Sequence, residues 1–183
     1  MNEFPVSKVY RLIEPGPVLL VTTSQHERPN IMTIGFHMMI QHEPPLIGCI
    51  IGPWDHSFTA LRETHECVLA VPGIDLAQKV VDIGNCSGSE VDKFKKFRLS
   101  PMPAKSVAAP LVGECLANIE CKVKDTTLVN KYDLFIFEAI HAWTNPGRKE
   151  KRTFHHRGDG TFTVDGRVIN LQDRMTKWKQ FQD

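Results

Sequence analysis

Two long runs past the middle of the chain limit its fold more than anything else in it. In Leu111 to Lys124, residues Leu116, Asn118, Glu120 and Lys122 alternate with Cys115, Ala117, Ile119, Cys121 and Val123. In Tyr132 to Trp143, residues Leu134, Ile136, Glu138 and Ile140 stand opposite Phe135, Phe137, Ala139 and His141. A period of two marks a strand. The polar segment Asp125 to Lys131 separates the two runs. Further strands are predicted at Val18 to Thr23, Asn30 to His37, Leu46 to Ile51 and Glu66 to Val71, the last stopped by Pro72-Gly73. In Asn30 to His37, Ile31, Thr33, Gly35 and His37 point one way and Met32, Ile34 and Phe36 the other. Pro44 and Pro45 forbid a helix and deliver the chain extended into Leu46.

Three short helices interrupt this series. Ser57 to Thr64 follows the Gly52-Pro53 break and can be capped by Asp55 or Ser57. Leu76 to Ile83 is expected to start on Asp75 and to end with Gly84 as a left-handed cap. A third begins at Ser89, with Asp92 three residues on as a weak capping box. Ser24 to Pro29 reads as a hairpin loop, and Pro15-Gly16-Pro17 as a turn. Gly158-Asp159-Gly160 and Asp165-Gly166 read as turns bracketing Thr161 to Val164. Prolines 101, 103 and 110 make the segment 100–110 extended and irregular. The tail 171–183 carries Met175, Trp178 and Phe181 as a stripe that docks on a partner subunit or covers its own. Strands with helical insertions and no regular βαβ alternation argue against a doubly wound sheet and for an antiparallel barrel, mainly β (α+β).

At 183 residues, 42% hydrophobic and 23% charged, the chain reads as one domain, 1–183, with a core over about 15–165. A net charge of +1 gives no field to recruit nucleic acid or an anionic membrane. The N-terminus lacks the charged-then-apolar pattern of a signal peptide, and no apolar run reaches the ~20 residues of a membrane span. An odd number of cysteines, 5 in all, scattered at 49, 67, 86, 115 and 121, fits free thiols and a cytoplasmic location. No Cys-x-x-Cys or His-x-x-x-His pair is present, and Cys115 and Cys121 lie ~20 Å apart on an extended chain, so no metal is expected. His155-His156 reads as the end of a strand, or as a residue near a redox site that steers a proton or a nicotinamide.

Candidate chemistry gathers elsewhere. Backbone N–H groups at the start of the first helix, with His56, Ser57 and Thr59 beside them, form an anion site. Asn85-Cys86-Ser87-Gly88 lacks the Gly-x-Ser-x-Gly spacing of a nucleophile elbow. In Asp92-Lys93-Phe94-Lys95-Lys96-Phe97-Arg98 the phenylalanines fall three apart and face inward while the lysines face water. Such a segment cannot sustain nucleic-acid binding in a neutral protein.

The order Pro29-Asn30-x-Met32-Thr33-x-Gly35, a loop ending in Pro44-Pro45-Leu46, a buried strand, a Ser-led helix, Ile83 to Gly88 and Asp92-Lys93-Phe94 resembles the flavin reductase-like family, and within it the flavoredoxin-like members. The resemblance runs over roughly residues 15–165. It implies an FMN-binding split β-barrel with short helical excursions that forms a homodimer with the flavin between subunits. It also implies that Asn30, Met32, Thr33, Ile34 and Gly35 hold the flavin together with Ile51, Gly52, His56 and Ser57. Asn85, Cys86 and Ser87 would touch it from a loop, and Lys93 would neutralise its phosphate or a ring oxygen, with Phe94 as packing. Thr33-Ile34-Gly35-Phe36-His37 replaces the hydroxyl-rich Thr-Ala-Ser-Ser segment of many flavin reductases and removes donors for the ribityl chain and phosphate. The implied activity is electron transfer from NAD(P)H to flavin, with no catalytic residue beyond the flavin itself. The alternatives are an electron carrier that keeps its FMN and serves a redox protein, and a non-enzymatic flavin-binding protein. Without a Gly-x-Gly-x-x-Gly segment there is no dinucleotide domain, so a nicotinamide would have to stack directly on the flavin.

Overall fold

In a computed structural model, which describes residues 1–9, 13, 16–175 and 177, strands β1 (Asn2–Phe4), β2 (Leu19–Gln25), β3 (Arg28–Ile34), β4 (His37–Gln41) and β5 (Leu46–Ile50) precede helix α1 (Ser57–Thr64). Then follow β6 (Glu66–Val71), α2 (Ala77–Gly84), α3 (Lys93–Lys96), β7 (Pro101–Met102), β8 (Leu111–Val112) and β9 (Ala117–Asp125). The chain continues through α4 (Val129–Tyr132), β10 (Leu134–Thr144), β11 (Phe154–His156) and β12 (Phe162–Val164).

An eight-stranded antiparallel sheet runs β3-β2-β6-β9-β10-β5-β4, with β1 added along β10. Laid flat, the ends of that path would stand ~29 Å apart at ~4.8 Å per strand. Yet Gly35 and Phe36 alone join β3 to β4, a link of at most ~11 Å. The sheet therefore rolls up, and its β3 and β4 edges meet as a split barrel without forming a ladder with each other. Bulges in the β9–β10 ladder, between Ile136 and Phe137 and between Ala139 and His141, supply the bend that closure needs.

The alternation of each strand sorts its side chains between two cores. Leu19, Val21, Met32, Ile34, Leu69, Ile119, Phe135 and Phe137 fill the barrel. Leu20, Ile31 and Ala70 point outward, where Val80 and Ile83 of α2, Phe94 of α3 and Phe154 of β11 cover them. Because β2 is covered on both faces, Val18 to Val21 read as an unbroken apolar run. Among the described residues no helix is long and apolar enough to cross a membrane.

Several local expectations are corrected. The strand predicted over Asn30 to His37 stops at Ile34, and Phe36 is exposed. The loop Ser24 to Pro29 is a two-residue turn at His26 and Glu27, both with positive φ, the conformation that matches strand twist in a tight hairpin. Leu111 to Lys124 is two strands, because Asn118 Oδ1 accepts from Val112 N at 2.7 Å and its Nδ2 donates to Val112 O. The intervening turn puts Cys115 into the outer core. Tyr132 belongs to α4, so β10 begins at Leu134. The lead-in contributes a strand, β1, that composition did not announce. Gly158 and Gly160 do turn the β11–β12 hairpin with positive φ, but Asp165 instead accepts from Thr153 and pairs with His155. At the turn expected over 15–17, Gly16 has a positive φ and its N–H donates to Ile13 O at 2.8 Å; of the expected tail stripe Met175 is exposed, while Pro15, Trp178 and Phe181 lie outside the described residues.

No helix is capped as expected. Asp75 pairs with Arg148, Gly84 is the last residue of α2 without a positive φ, and Asp92 is itself the cap of α3, accepting from Lys95 N at 3.0 Å. Asp55 Oδ2 takes Gly52 N at 3.1 Å, and α1 begins on His56 with no side-chain cap.

Candidate functional site

The site lies where β3 meets the start of α1 and the loop after α2, and it draws on both faces of that strand. Thr23 and Asn30 are cross-strand partners, and both bond to one hydroxyl. Asn30 Nδ2 donates to Ser57 Oγ at 2.9 Å and Thr23 Oγ1 donates to it at 3.2 Å. All three residues are buried, so this cluster fixes the beginning of α1 against the hairpin. Further along β3, Thr33 Oγ1 donates to Val80 O at 2.5 Å and Gly84 sits against Thr33, which docks α2 on the strand.

The loop after α2 then folds back over Asn30. Lys93, 5% exposed, donates from Nζ to Ile83 O at 2.9 Å, placing a cation at the carbonyl end of α2, where it is favoured. Gly88 lies so close to Asn30 Oδ1 and the His56 ring that a Cβ there would collide with both. Opposite, the Trp54 indole, 73% exposed, packs onto Gly52, where any side chain would strike it.

These elements enclose a cavity of about 400 Å³ lined by Asn30, Met32, Thr33, Trp54, Asp55, His56, Ile83, Gly84, Asn85, Cys86, Ser87, Glu90 and Lys93. A second cavity of about 430 Å³ is lined by Thr23, Gln25, His26, Arg28, Asn30, His56 and Ala60. Asn30 and His56 line both, so the two adjoin there.

Burial lowers the pKa of Lys93, with Cys86 and Asp55 nearby acting to raise it and Lys96 to lower it. Burial likewise raises that of Asp55, opposed by the Gly52 N–H and by Lys93. The first cavity thus holds one cation among two carboxylates, with Met32, Ile83 and the indole as apolar walls.

Of the expected site residues, Asn30, Met32, Thr33, His56, Asn85, Cys86, Ser87 and Lys93 share this cavity. Ile34 and Ile51 instead fill the barrel, and Phe94 packs in the outer core. Ser57 is sealed beneath Asn30, Gly52 lies under Trp54, and Gly35 sits exposed at the β3–β4 link. Lys93 faces inward, against the expectation that all lysines of its segment face water. Neither His155 nor His156 lines either of these two cavities; His155 pairs with Asp165 at 2.9 Å. Trp54, Asp55, Ile83, Gly84 and Glu90 line the cavity unforeseen. The signal for Trp54 was its place two residues after Gly52, and for Ile83 and Gly84 their place directly before Asn85.

Gly88→Ala is expected to weaken ligand binding in this cavity by about tenfold and to cost about 1–3 kcal/mol of stability as well, since its Cβ would strike the buried Asn30 amide held by Ser57 and the His56 ring. Parallel ligand titration and thermal melting check this; wild-type binding or wild-type melting would contradict it.

Residues 10–163 match the model of the flavin reductase like domain. An uncharacterized protein of Archaeoglobus fulgidus is 34% identical over 115 residues, covering 63% of this chain and 65% of that protein, just under two thirds of its length. Among solved structures, an FMN-binding domain of a flavin reductases-like enzyme from Shewanella baltica OS155 superposes with a TM-score of 0.85 at 23% identity, covering 92% of this chain and 96% of that one. The flavoredoxin of Desulfovibrio vulgaris (Miyazaki F) does so with a TM-score of 0.76 at 23% identity, covering 85% and 89%.

Proposed function

The chain belongs to the flavin reductase-like family, and from that premise we propose that it is an FMN-binding oxidoreductase passing electrons from NAD(P)H to flavin. The observation that carries this reading is the cavity of about 400 Å³, a volume in the range of cofactor sites. Its composition suits a flat polar-edged ring: apolar walls from Met32, Ile83 and Trp54, and polar groups from Asn30, Thr33 and Lys93. Bound FMN would supply the hydride and electron chemistry, which no side chain here can provide.

The protein's part is positional. Asn30, held by Ser57, presents its amide to the cavity, and Lys93 supplies N–H donors beyond the one that Ile83 O accepts. Trp54 and the 85–88 loop limit water on either side. Exposure of Trp54 leaves room for a nicotinamide to approach from solvent. Phe36, Met38 and Ile40, 76, 54 and 44% exposed along the β4 edge, are the surface on which a second copy would dock. Five free thiols support a cytoplasmic setting.

The test is a titration of the purified protein with FMN, followed by addition of NADH. Quenching of flavin fluorescence, followed by steady loss of nicotinamide absorbance with excess FMN, is the expected result. Bound, reducible FMN without nicotinamide oxidation would replace the reductase by an electron carrier, and no flavin uptake would overturn both. Gel filtration at twice the mass of 20.7 kDa is the matching expectation for the dimer.

A further inference from the structure

The mouth of the first cavity is chemically unlike its floor. Lys93 is buried and donates to Ile83 O at 2.9 Å. Asp55 and Lys93 each feel the other's charge, so these two offset one another. Glu90 lines the same cavity, is exposed, and among the described residues has no ion pair. With histidine counted as neutral at pH 7, the cavity carries one carboxylate more than it has cations. Beside that carboxylate stands a ring with a bare face. Trp54 is 73% exposed although one side of its indole lies on Gly52, so the other side faces solvent at the cavity's edge. The negative face of an indole attracts cations, and a flat cation gains stacking area as well. A neutral ring of the same shape gains from the stacking alone.

We propose that Trp54 and Glu90 make the mouth of this cavity a binding site for a flat aromatic cation of the pyridinium class. Two sources share that chemistry: the oxidised nicotinamide of a dinucleotide, or a small free N-alkylpyridinium. The first source rests on the flavin reading above; the preference for charge does not. If the ligand is a nicotinamide, the mouth holds the oxidised, cationic ring more tightly than the reduced, neutral one.

The experiment titrates the full chain with N1-methylnicotinamide, a cation, and with nicotinamide, its neutral counterpart. In the ¹⁵N-labelled protein the Trp54 indole N–H and the amides of residues 85–90 report binding, so no turnover is needed. The cation is expected to bind at least about fivefold more tightly than the neutral ring. Glu90→Gln and Trp54→Leu should each cut that preference by about half or more. Both side chains are exposed, so the variants keep the fold, and unchanged melting temperatures check this. Oxidised NAD binding about threefold or more tighter than the methylated probe assigns the site to a dinucleotide, and a smaller gain assigns it to a free cation. Selective binding of the cation to a chain that takes up no FMN keeps the proposal and sinks the flavin reading. FMN uptake with equal affinities for cation and neutral ring does the reverse. Displacement of the probe by FMN, or a preference unchanged in either variant, also overturns the proposal.

Discussion

Phe135→Ala is expected to remove about 3–5 kcal/mol of unfolding free energy, as large-to-small changes at fully buried aromatic positions do. Phe135 is inaccessible to solvent. It stacks on Phe137 with centroids 5.9 Å apart and planes 9° apart, and meets Phe58 of α1 edge-on at 5.8 Å. It also stands opposite Cys49 on β5. The ring thus joins β10, β5 and α1, the helix whose start carries His56 and Ser57. Two effects add: transfer of the aromatic surface back to water, and a cavity that neighbours on rigid strands cannot collapse to fill. The control is Phe36→Ala at the exposed β3–β4 link, for which a change within about 0.5 kcal/mol is expected in the monomer. Urea denaturation of both variants at low concentration settles it. A loss below about 1 kcal/mol for Phe135→Ala would mean that the barrel interior is not packed as described.

How much of this was readable in the chain depends on whether a residue's partner is close in sequence. The alternation of Met32 and Ile34 against Ile31 sorted these side chains between the two faces of β3, because the pleat alone decides which face a strand residue takes, but it did not show that both faces are covered. The proline and glycine stops at 44–45, 52–53 and 72–73 gave the strand ends for similar local reasons. Helix caps did not follow, since Asp55, Ser57 and Asp75 each found a better-placed partner: Gly52 N, Asn30 with Thr23, and Arg148. Local propensity offers a cap, and tertiary contact withdraws it. The break before β9 was hidden in the same way, because Asn118 takes over the backbone of Val112.

In the site, the motif residues on β3 and around Asn85 converged, whereas Trp54 did not announce itself. A large apolar residue in a turn reads as stray surface until Gly52 is seen beneath it. His37 shows the same limit. Its Nε2 meets Pro17 O at 2.6 Å while Nδ1 is buried without a partner. Burial holds its pKa below the usual value, with His155 adding to the effect and the Pro17 contact opposing it. Nothing local in the sequence distinguishes it from the chain's exposed histidines.

Lys93→Met should separate the two consequences of burying a cation beside a ligand site. On the flavin reading, losing a charged donor to a ring oxygen weakens FMN binding by about 1.5–3 kcal/mol, roughly 10–100-fold. Stability should change far less, because the isosteric thioether also removes a buried charge. The pH dependence is sharper. Burial lowers the pKa of Lys93 from its usual 10.5, so the native chain gives up this proton at lower pH than the unfolded chain does. Between the lowered pKa and 10.5 the unfolded state holds more protons, so this residue makes stability rise with pH across that window. Flavin affinity must move the other way there, falling as the donor loses its charge. Wild type should show opposite slopes in melting temperature and FMN affinity on the alkaline side, and Lys93→Met should flatten both. Parallel slopes, or an alkaline fall in affinity that survives in Lys93→Met, would remove Lys93 from the ligand's surroundings.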